Sequence, residues 1–288
     1  MTRDSVIVYE VGPRDGLQGL PKLSTESKIK YIDLLSDSGL RFIETVSFVK
    51  PEFIPQMEDA LEVAKGLKRK PGVTYSALVP SIKYYPQAKE ANMPEVAVFI
   101  SANEEHNKKN LGRSIDETKP KLEEVIQAAL QDGKRVRGYI STVFGYHFPD
   151  DTPVDKVIEL SRWYLDKGVY QVSLGDTEGV ASSKLIKEEL KEISNEINLD
   201  NFALHLHTKR ESMKIKIDTA FDLGVRTFDS SCGGIGGCPT NALLANVDTL
   251  ELAGFMERKG VHYNFSTGID LDKLVRADEY IRGLVKQA

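Results

Sequence analysis

The chain has 288 residues, of which 41% are hydrophobic and 28% charged, and its 38 basic and 43 acidic side chains give a net charge of −5. This slight acidic excess argues against a nucleic-acid-binding groove, and no apolar stretch approaches the roughly 20 residues that span a bilayer. The N-terminus lacks the hydrophobic segment of a signal peptide, and two cysteines are too few for a secreted disulfide scaffold. We therefore expect a cytoplasmic protein that binds neither nucleic acid nor membrane.

Apolar, β-branched runs of strand length recur along the chain and predict eight strands. In chain order they are Val6–Glu10, Phe42–Phe48, Tyr75–Val79, Val96–Ser101, Val136–Val143, Tyr170–Leu174, Phe202–His207 and Thr227–Ser231. The segments between them have helical periodicity, most clearly at 25–38, 183–197 and 210–223.

Several of the predicted helices end on a glycine that leads directly into the next strand, at Gly39, Gly133, Gly168 and Gly224. Glycine suits the left-handed position that follows a helix, and Asn92 takes the equivalent place before the fourth strand. Eight strand–helix units without a linker predict an α/β fold, a single-domain (β/α)₈ TIM barrel over about 6–250 with a short C-terminal helical extension over about 251–288. A doubly wound open sheet is the alternative, although no G-x-G-x-x-G follows an early strand.

Catalytic residues of such a barrel gather where strands run into the following helices. Polar side chains stand at these positions, in the order Arg14, Asp15, Glu44, Ser47, Asp176, His205, His207 and Cys238. The first two belong to the stretch YEVGPRDGLQG, which taken alone reads equally well as a solvated turn or as the floor of a site. Because these polar residues are expected at the same end of the barrel, the stretch is better interpreted as the floor of a site than as a solvated turn.

The sharpest single signal is H-x-H at the end of the seventh strand. Residues i and i+2 of a strand project to the same side, so His205 and His207 can bind one cation. A pair of hydrogen-bonded core histidines is the alternative. A divalent ion needs further oxygen ligands, which Asp15 and the amide of Asn246 can supply.

Long motifs of the chain resemble 3-hydroxy-3-methylglutaryl-CoA lyases, metal-dependent barrels related to isopropylmalate and homocitrate synthases. The resemblance covers about residues 6–250 and rests on VGPRDGLQ, FIETVSFVKPEFIPQM, KKN at 108–110, RGYIS, SLGDTEGV and DSSCGGIGGCP. It implies Mg²⁺ or Mn²⁺ bound by Asp15, His205, His207 and Asn246. It also implies that Arg14 polarises a thioester carbonyl, that Cys238 is catalytic, and that Glu44 and Asp176 line the site.

The roles implied by the resemblance are chemically consistent with carbon–carbon bond cleavage. Arg14 can stabilise charge on a forming enolate oxygen, His205 can relay a proton, and Cys238 on a glycine-rich loop can protonate the enolate. Cys238 could instead be a small buried residue, and Cys232 is expected only to pack. Gln18, Lys109 and Asn110 are expected to bind an acyl-CoA substrate.

Two places depart from the pattern of that family. Thr208-Lys209-Arg210-Glu211 replaces the usual Asp-Thr-Tyr-Gly, so Lys209 and Arg210 either bind an anionic group of the substrate or form a solvated helix start. The segment after Cys238 is one residue short, which makes Asn241 a rival of Asn246 as the amide ligand.

Three functions are compatible with these residues. The first is a lyase that cleaves 3-hydroxy-3-methylglutaryl-CoA to acetyl-CoA and acetoacetate, or a lyase for another 3-hydroxyacyl-CoA. The second is a Claisen-condensing acyltransferase of the same barrel group. The third is an acyl-CoA-binding protein without turnover, although a binding module needs neither a metal nor an acid. We expect a homodimer in each case.

Overall fold

The computed structural model describes residues 5–237, 244–263 and 268–287. Eight parallel strands follow one another around a barrel. They are β1 (Ser5–Glu10), β2 (Phe42–Ser47), β3 (Thr74–Leu78), β4 (Glu95–Ser101), β5 (Arg135–Ser141), β6 (Gln171–Asp176), β7 (Phe202–Thr208) and β8 (Thr227–Ser230). Each overlaps the strand predicted for it from the sequence.

The seam between β1 and β8 decides between the two predicted architectures. The strands β1 and β8 pair in parallel from Ile7↔Thr227 to Glu10↔Ser230, while β1 also pairs with β2. A doubly wound sheet has a strand order that reverses at an interior first strand and ends in two unpaired edges, whereas here the strands pair in sequence order and β8 pairs back with β1. The closed (β/α)₈ barrel is therefore confirmed, and the doubly wound sheet is excluded.

Helices surround the barrel. They are α1 (Thr25–Asp37), α2 (Ala60–Gly66), α3 (Tyr85–Glu90), α4 (Glu104–Leu111), α5 (Ile115–Gln131), α6 (Val154–Asp166), α7 (Ser183–Glu196), α8 (Arg210–Leu223), α9 (Thr249–Arg258) and α10 (Leu271–Gln287). Positive φ angles follow α1, α5, α6 and α8 at the four predicted glycines, and Asn92 has φ 51°. These left-handed residues turn the chain from each helix into the next strand.

The outer layer, defined here as the apolar side chains between the strands and the helices, is the main core. It includes Val98, Ile126, Leu190 and Phe228, all fully buried. Leu252 of α9 and Leu274 of α10 belong to the same continuous cluster. The C-terminal helices therefore pack as part of a single domain.

The lumen, defined here as the space enclosed by the eight strands, contains buried polar and charged side chains. Tyr9 donates a hydrogen bond to Glu95 at 2.5 Å, and Arg137 forms an ion pair with Asp229 at 2.6 Å. Branched aliphatic residues usually fill this space in such barrels. Here hydrogen-bonded and charged groups take their place beneath the mouth formed by the carboxyl ends of the strands.

Two short strands extend the barrel sheet. β9 (Ala245–Asn246) pairs antiparallel with the end of β7, so that Asn246 lies opposite His207. β10 (His262–Tyr263) pairs with the start of β1. The strand β9 brings the segment after the glycine-rich loop to the mouth of the barrel.

Candidate active site

The two histidines of β7 point their ring nitrogens at each other. His207 Nδ1 lies 2.7 Å from the carbonyl oxygen of Thr177, and His205 Nδ1 lies 3.3 Å from Asp229 Oδ2. These acceptors require the proton on each Nδ1, which leaves the lone pair on Nε2. The two Nε2 atoms are 3.2 Å apart. Facing lone pairs at this distance need a cation between them, either a shared proton or a metal ion.

Asp15 faces the same point from the turn after β1. One ligand atom of each of Asp15, His205 and His207 lies within 4.8 Å of the others, and His205 Nε2 is 3.9 Å from Asp15 Oδ2. Asn246 Nδ2 donates to Asp15 Oδ2 at 2.9 Å and to the backbone oxygen of Ile235 at 3.1 Å. Because the amide nitrogen is engaged, the amide oxygen is the atom of Asn246 suited to a cation.

The donor set fits a divalent ion. Burial and the neighbouring His205 lower the pKa of His207 to about 4, so this ring is neutral at pH 7 and has a lone pair to offer. Burial would raise the pKa of Asp15, but Arg14 and the two histidines hold it well below its usual range. Two imidazoles, a carboxylate and an amide oxygen form a mixed set that leaves coordination positions for water or substrate.

A single turn of π-helix at Gly12–Gly16 presents Arg14 and Asp15 to the mouth. The backbone N–H groups of Arg14, Asp15 and Gly16 all donate to the carbonyl of Val11. A Cβ at Gly16 would lie 2.7 Å from Ile235 and 2.8 Å from Ser231 Oγ. The glycine is therefore needed for the turn to approach the loop after β8. Such π-turns are frequent at functional sites.

Arg14 is held between two carboxylates. Its Nε donates to Glu44 Oε1, and its Nη1 donates to Asp15 Oδ1 at 2.6 Å. The guanidinium also lies 5.3 Å from the ring centre of Tyr139. Arg14 is buried, so these contacts fix a permanent positive charge beside the candidate cation site of Asp15, His205 and His207.

Three lumen residues that the sequence did not identify support the site from below. They are Arg137, Tyr139 and Asp229. Asp229 accepts from His205, from Ser173 Oγ at 2.8 Å and from Arg137. Tyr139 receives a hydrogen bond from Arg137 at 2.7 Å and donates one to Glu44 Oε2 at 2.9 Å. All three lie in quoted motifs, RGYIS and DSSCGGIGGCP, but a motif alone does not tell which of its residues point inward.

Asp176 is not brought into the cluster. Its Oδ1 accepts from the backbone of Ala181 at 3.1 Å, and its Oδ2 lies 3.7 Å from Lys216 Nζ on α8. Ser173, three residues earlier on β6, points into the lumen, so strand alternation directs Asp176 outward. Burial raises the pKa of Asp176 to about 6. The next residue, Thr177, has the carbonyl oxygen that contacts His207.

The remaining predicted residues lie around the mouth. Gln18 follows the π-turn, and its buried Nε2 has no hydrogen-bond partner among the described residues. On α4, Lys109 Nζ donates to Tyr146 Oη at 3.3 Å and Asn110 Nδ2 donates to the backbone of His106 at 3.0 Å.

The start of α8 carries Lys209 and Arg210, the two cations of the segment that departs from the family pattern. Lys209 precedes the helix as its N-cap, and Arg210 pairs with Glu251. Both are exposed. Cys238 and Asn241 lie outside the described residues, and Cys232 is a fully buried free thiol, as expected for a packing residue.

Comparison with protein families and curated proteins gives a consistent result over nearly the whole chain. A family model described as HMGL-like matches residues 5–281. The chain is 39% identical to hydroxymethylglutaryl-CoA lyase YngG of Bacillus subtilis (strain 168), over 96% of this chain and 92% of that protein. It is 38% identical to the mitochondrial hydroxymethylglutaryl-CoA lyase of Homo sapiens, over 96% of this chain and 84% of that one.

Solved structures agree with the sequence comparison. The Bacillus subtilis HMG-CoA lyase superposes with a TM-score of 0.94 at 38% identity, over 98% of this chain and 94% of that one. An HMG-CoA lyase from Acinetobacter baumannii, solved with coenzyme A and 3-methylmalate, gives a TM-score of 0.91 at 32% identity, over 99% and 93% of the two chains.

Proposed function

This chain belongs to the HMGL-like family and is a carbon–carbon lyase, and from this premise we propose that its substrate is 3-hydroxy-3-methylglutaryl-CoA, cleaved to acetyl-CoA and acetoacetate. The observation that carries the proposal is the contact between Arg14 and Asp15. It places a fixed positive charge directly beside a cluster suited to a divalent ion. Cleavage of a 3-hydroxyacyl thioester needs the positive charge and the divalent ion close enough to contact the same substrate molecule.

The metal proposed for the cluster is Mg²⁺ or Mn²⁺, held by Asp15, His205, His207 and Asn246. When bound, it lowers the pKa of the substrate's tertiary hydroxyl and fixes the orientation of that oxygen. Asn246 is preferred to Asn241 because its amide already contacts Asp15. Thr177 and Asp229 hold the histidine rings in the tautomer that has a free Nε2.

The cleavage step breaks the bond between C2 and C3 of the acyl chain. The hydroxyl loses its proton, and its oxygen becomes the ketone oxygen of acetoacetate. His205, the proposed relay, takes up this proton only while its Nε2 is not bound to the metal, because its Nδ1 already faces Asp229. The electron pair of the broken bond passes to the thioester, forming an enolate of acetyl-CoA. Arg14 stabilises the negative charge on the enolate oxygen, and Glu44 keeps its guanidinium in place.

The reaction ends with protonation of the enolate carbon. We assign this proton to Cys238, which follows Gly236 and Gly237. A thiol is a stronger acid than water or an alcohol and so suits a carbanion acceptor. Gln18, Lys109 and Asn110 are proposed to bind the acyl-CoA, a ligand class supported by the coenzyme A complex of the Acinetobacter baumannii relative.

The compartment and the assembly of the protein stay predictions. No helix of the described residues has the length and hydropathy to cross a membrane. One relative, from Danio rerio, is named as a cytoplasmic enzyme. The cytoplasmic location and the homodimer can be tested by fractionation and by light scattering of the purified protein.

The proposed substrate is tested by a screen of 3-hydroxyacyl-CoA thioesters with Mg²⁺ or Mn²⁺, following the release of acetyl-CoA. We expect 3-hydroxy-3-methylglutaryl-CoA to give the highest kcat/KM and chelation to abolish turnover. Faster cleavage of another thioester would reassign the substrate. Net condensation of acetyl-CoA with a keto acid under the same conditions would favour the acyltransferase.

A further inference from the structure

We propose that Arg137 is a positioning residue that fixes two parts of the site at once, the metal-binding ring of His205 and the guanidinium of Arg14. The inference rests on the proposed function, since it concerns the arrangement of those two groups. Arg137 lies on β5 and touches neither of them directly. It acts through two hydrogen-bonded branches that begin at its own guanidinium.

The environment of Arg137 leaves its guanidinium only one orientation. The side chain is fully buried in the lumen and its guanidinium carbon lies 3.9 Å from the ring centre of Tyr9 and 4.8 Å from that of Tyr139. Its Nε donates to Gln171 Oε1 at 3.1 Å. Two aromatic faces and an amide thus hold the plane of the group, so its outer nitrogens point in defined directions.

The first branch leads to the metal cluster. Arg137 donates twice to Asp229, from Nη2 to Oδ1 at 2.6 Å and from Nη1 to Oδ2 at 3.2 Å. Asp229 Oδ2 in turn faces His205 Nδ1 at 3.3 Å. The forked pair prevents the carboxylate from rotating, so the carboxylate presents a fixed acceptor to the imidazole. Partners of this kind set the ring orientation of metal-binding histidines.

The second branch leads to Arg14. Arg137 Nη1 donates to Tyr139 Oη at 2.7 Å, and this hydroxyl donates to Glu44 Oε2 at 2.9 Å. The other oxygen of Glu44 accepts from Arg14 Nε. By occupying one lone pair of the tyrosine oxygen, Arg137 commits the tyrosine proton to Glu44.

The chemistry of the side chain explains why arginine stands here. A planar fork can serve a carboxylate and a hydroxyl in one plane, whereas an ammonium is a point charge without fixed donor directions. Arg137→Lys therefore keeps the charge and removes the geometry. The matched control is Arg135→Lys on the same strand, because Arg135 lies at the opposite end of the lumen and faces Glu95.

The first test is Mn²⁺ binding without substrate, followed by electron paramagnetic resonance or calorimetry. We expect Arg137→Lys to weaken Mn²⁺ binding about 10-fold or more, the range seen when such a supporting partner is lost, and Arg135→Lys to leave it within twofold. Equal affinity of the Arg137→Lys variant and the unaltered protein would overturn the inference. A protein that binds no Mn²⁺ at all would overturn both the metal assignment and the inference.

A second measurement keeps the inference falsifiable where Arg137→Lys fails to fold. Asp229→Asn alters the first branch and Tyr139→Phe the second, while Arg137 stays in place. If Arg137 joins the branches, the loss of kcat at saturating Mn²⁺ in the double variant should differ more than threefold from the product of the single losses. A product that holds within threefold would mean independent branches and would overturn the inference.

These outcomes are distinct from failure of the proposed function. Should the unaltered protein bind Mn²⁺ but leave 3-hydroxy-3-methylglutaryl-CoA intact, the substrate proposal fails. The Mn²⁺ affinities of the Arg137→Lys and Arg135→Lys variants would still decide the role of Arg137.

Discussion

The outer layer of the barrel consists of aliphatic side chains that pack without defined partners, whereas the lumen holds charged groups that each have one. Leu190 and Ile193 in the outer layer are fully buried members of the continuous apolar cluster. Arg137 and Asp229 in the lumen are equally buried but paired. Burial of apolar area stabilises the fold, while a buried ion pair contributes little net stability. The lumen is therefore organised for geometry, and the outer layer for stability.

The largest effect should come from removing a metal ligand in the mouth of the lumen. His207→Ala or Asp15→Ala should lower kcat on the order of 10³-fold, because a Lewis acid contributes several kcal/mol to the transition state. Divalent-ion affinity should fall in parallel, with little change of the melting temperature. His147→Ala, at an exposed histidine paired with Glu105, is the control. Full activity of either ligand variant after exhaustive chelation would contradict the metal assignment.

The second largest effect is expected at Cys238, the proposed acid, which lies outside the described residues. Cys238→Ser keeps the size and a donor but raises the pKa of the proton by several units. We expect kcat to fall about 10²-fold or more with little change of KM. Alkylation should inactivate the enzyme, more slowly with a substrate analogue bound, and Cys232→Ala should not alter this sensitivity. Near-normal turnover of the serine variant would make Cys238 a packing residue.

A substitution in the outer layer should instead lower the stability of the protein and leave its activity unchanged. Leu190→Ala removes a fully buried side chain on α7 and should lower the free energy of unfolding by about 2–5 kcal/mol. The kcat and Mn²⁺ affinity of the folded protein should stay within twofold. Leu130→Ala, at an exposed leucine, should lower the free energy of unfolding far less in a denaturant titration. A large loss of kcat at full folding would mean that the two regions are not separable.

Glu189 is an exception to the apolar outer layer, because it is a buried carboxyl whose two oxygens find no hydrogen-bond partner in the part of the chain that the structure describes. Burial and then the charges of Asp150, Asp176 and Glu192 raise its pKa to about 8. The native state keeps this proton at pH values where the unfolded chain has lost it. The stability this provides is complete below about pH 4.5 and is lost as the pH rises through 8.

Glu189→Gln should remove this pH dependence. We expect little change at pH 5 and a gain of about 1–3 kcal/mol at pH 9, measured by urea unfolding at both pH values. Glu188→Gln, at the exposed neighbour on the same helix, should leave the pH dependence as it is. If the free energy of unfolding changes equally with pH in both variants, Glu189 is ionised in the native state from pH 5 to pH 9.

The smallest effect is expected at the exposed start of α8, which belongs neither to the outer layer nor to the lumen. If Lys209 and Arg210 bind an anionic group of the substrate, neutral replacement should raise KM by up to about fivefold and leave kcat unchanged. The ion pair of Arg210 with Glu251 makes Lys209→Met the more sensitive variant. Lys214→Met, at an exposed residue of α8, is the control. An unchanged KM would identify the pair as a solvated helix start.

The outer layer could be predicted from the sequence because its signals are local. The strands were recognisable as runs rich in apolar and β-branched residues, and a glycine such as Gly168 or Gly224 marks the end of a helix wherever it stands. The pair His205 and His207 was readable for the same reason, since strand alternation alone places both on one side.

The lumen could be predicted only in part because its partners are distant in sequence. Arg137 and Asp229 are 92 residues apart, and nothing near either residue identifies the other. Asp176 was expected to line the site because it ends a strand, but the alternation set by Ser173 directs it outward. The π-turn at Gly12–Gly16 could not be predicted either, because the need for Gly16 comes from its contacts with the distant loop after β8.

The seam between β1 and β8 has a consequence for the order in which this protein folds. Asp15 follows the first strand, while Asp229, the partner of His205, lies on the last. Contacts between chain ends form late, because the entropy of closing a long loop must be overcome first. Partly folded chains in which the first and last strands have not yet met therefore lack the complete cation site. High-affinity uptake of Mn²⁺ during refolding would then report the moment at which the ring of strands closes.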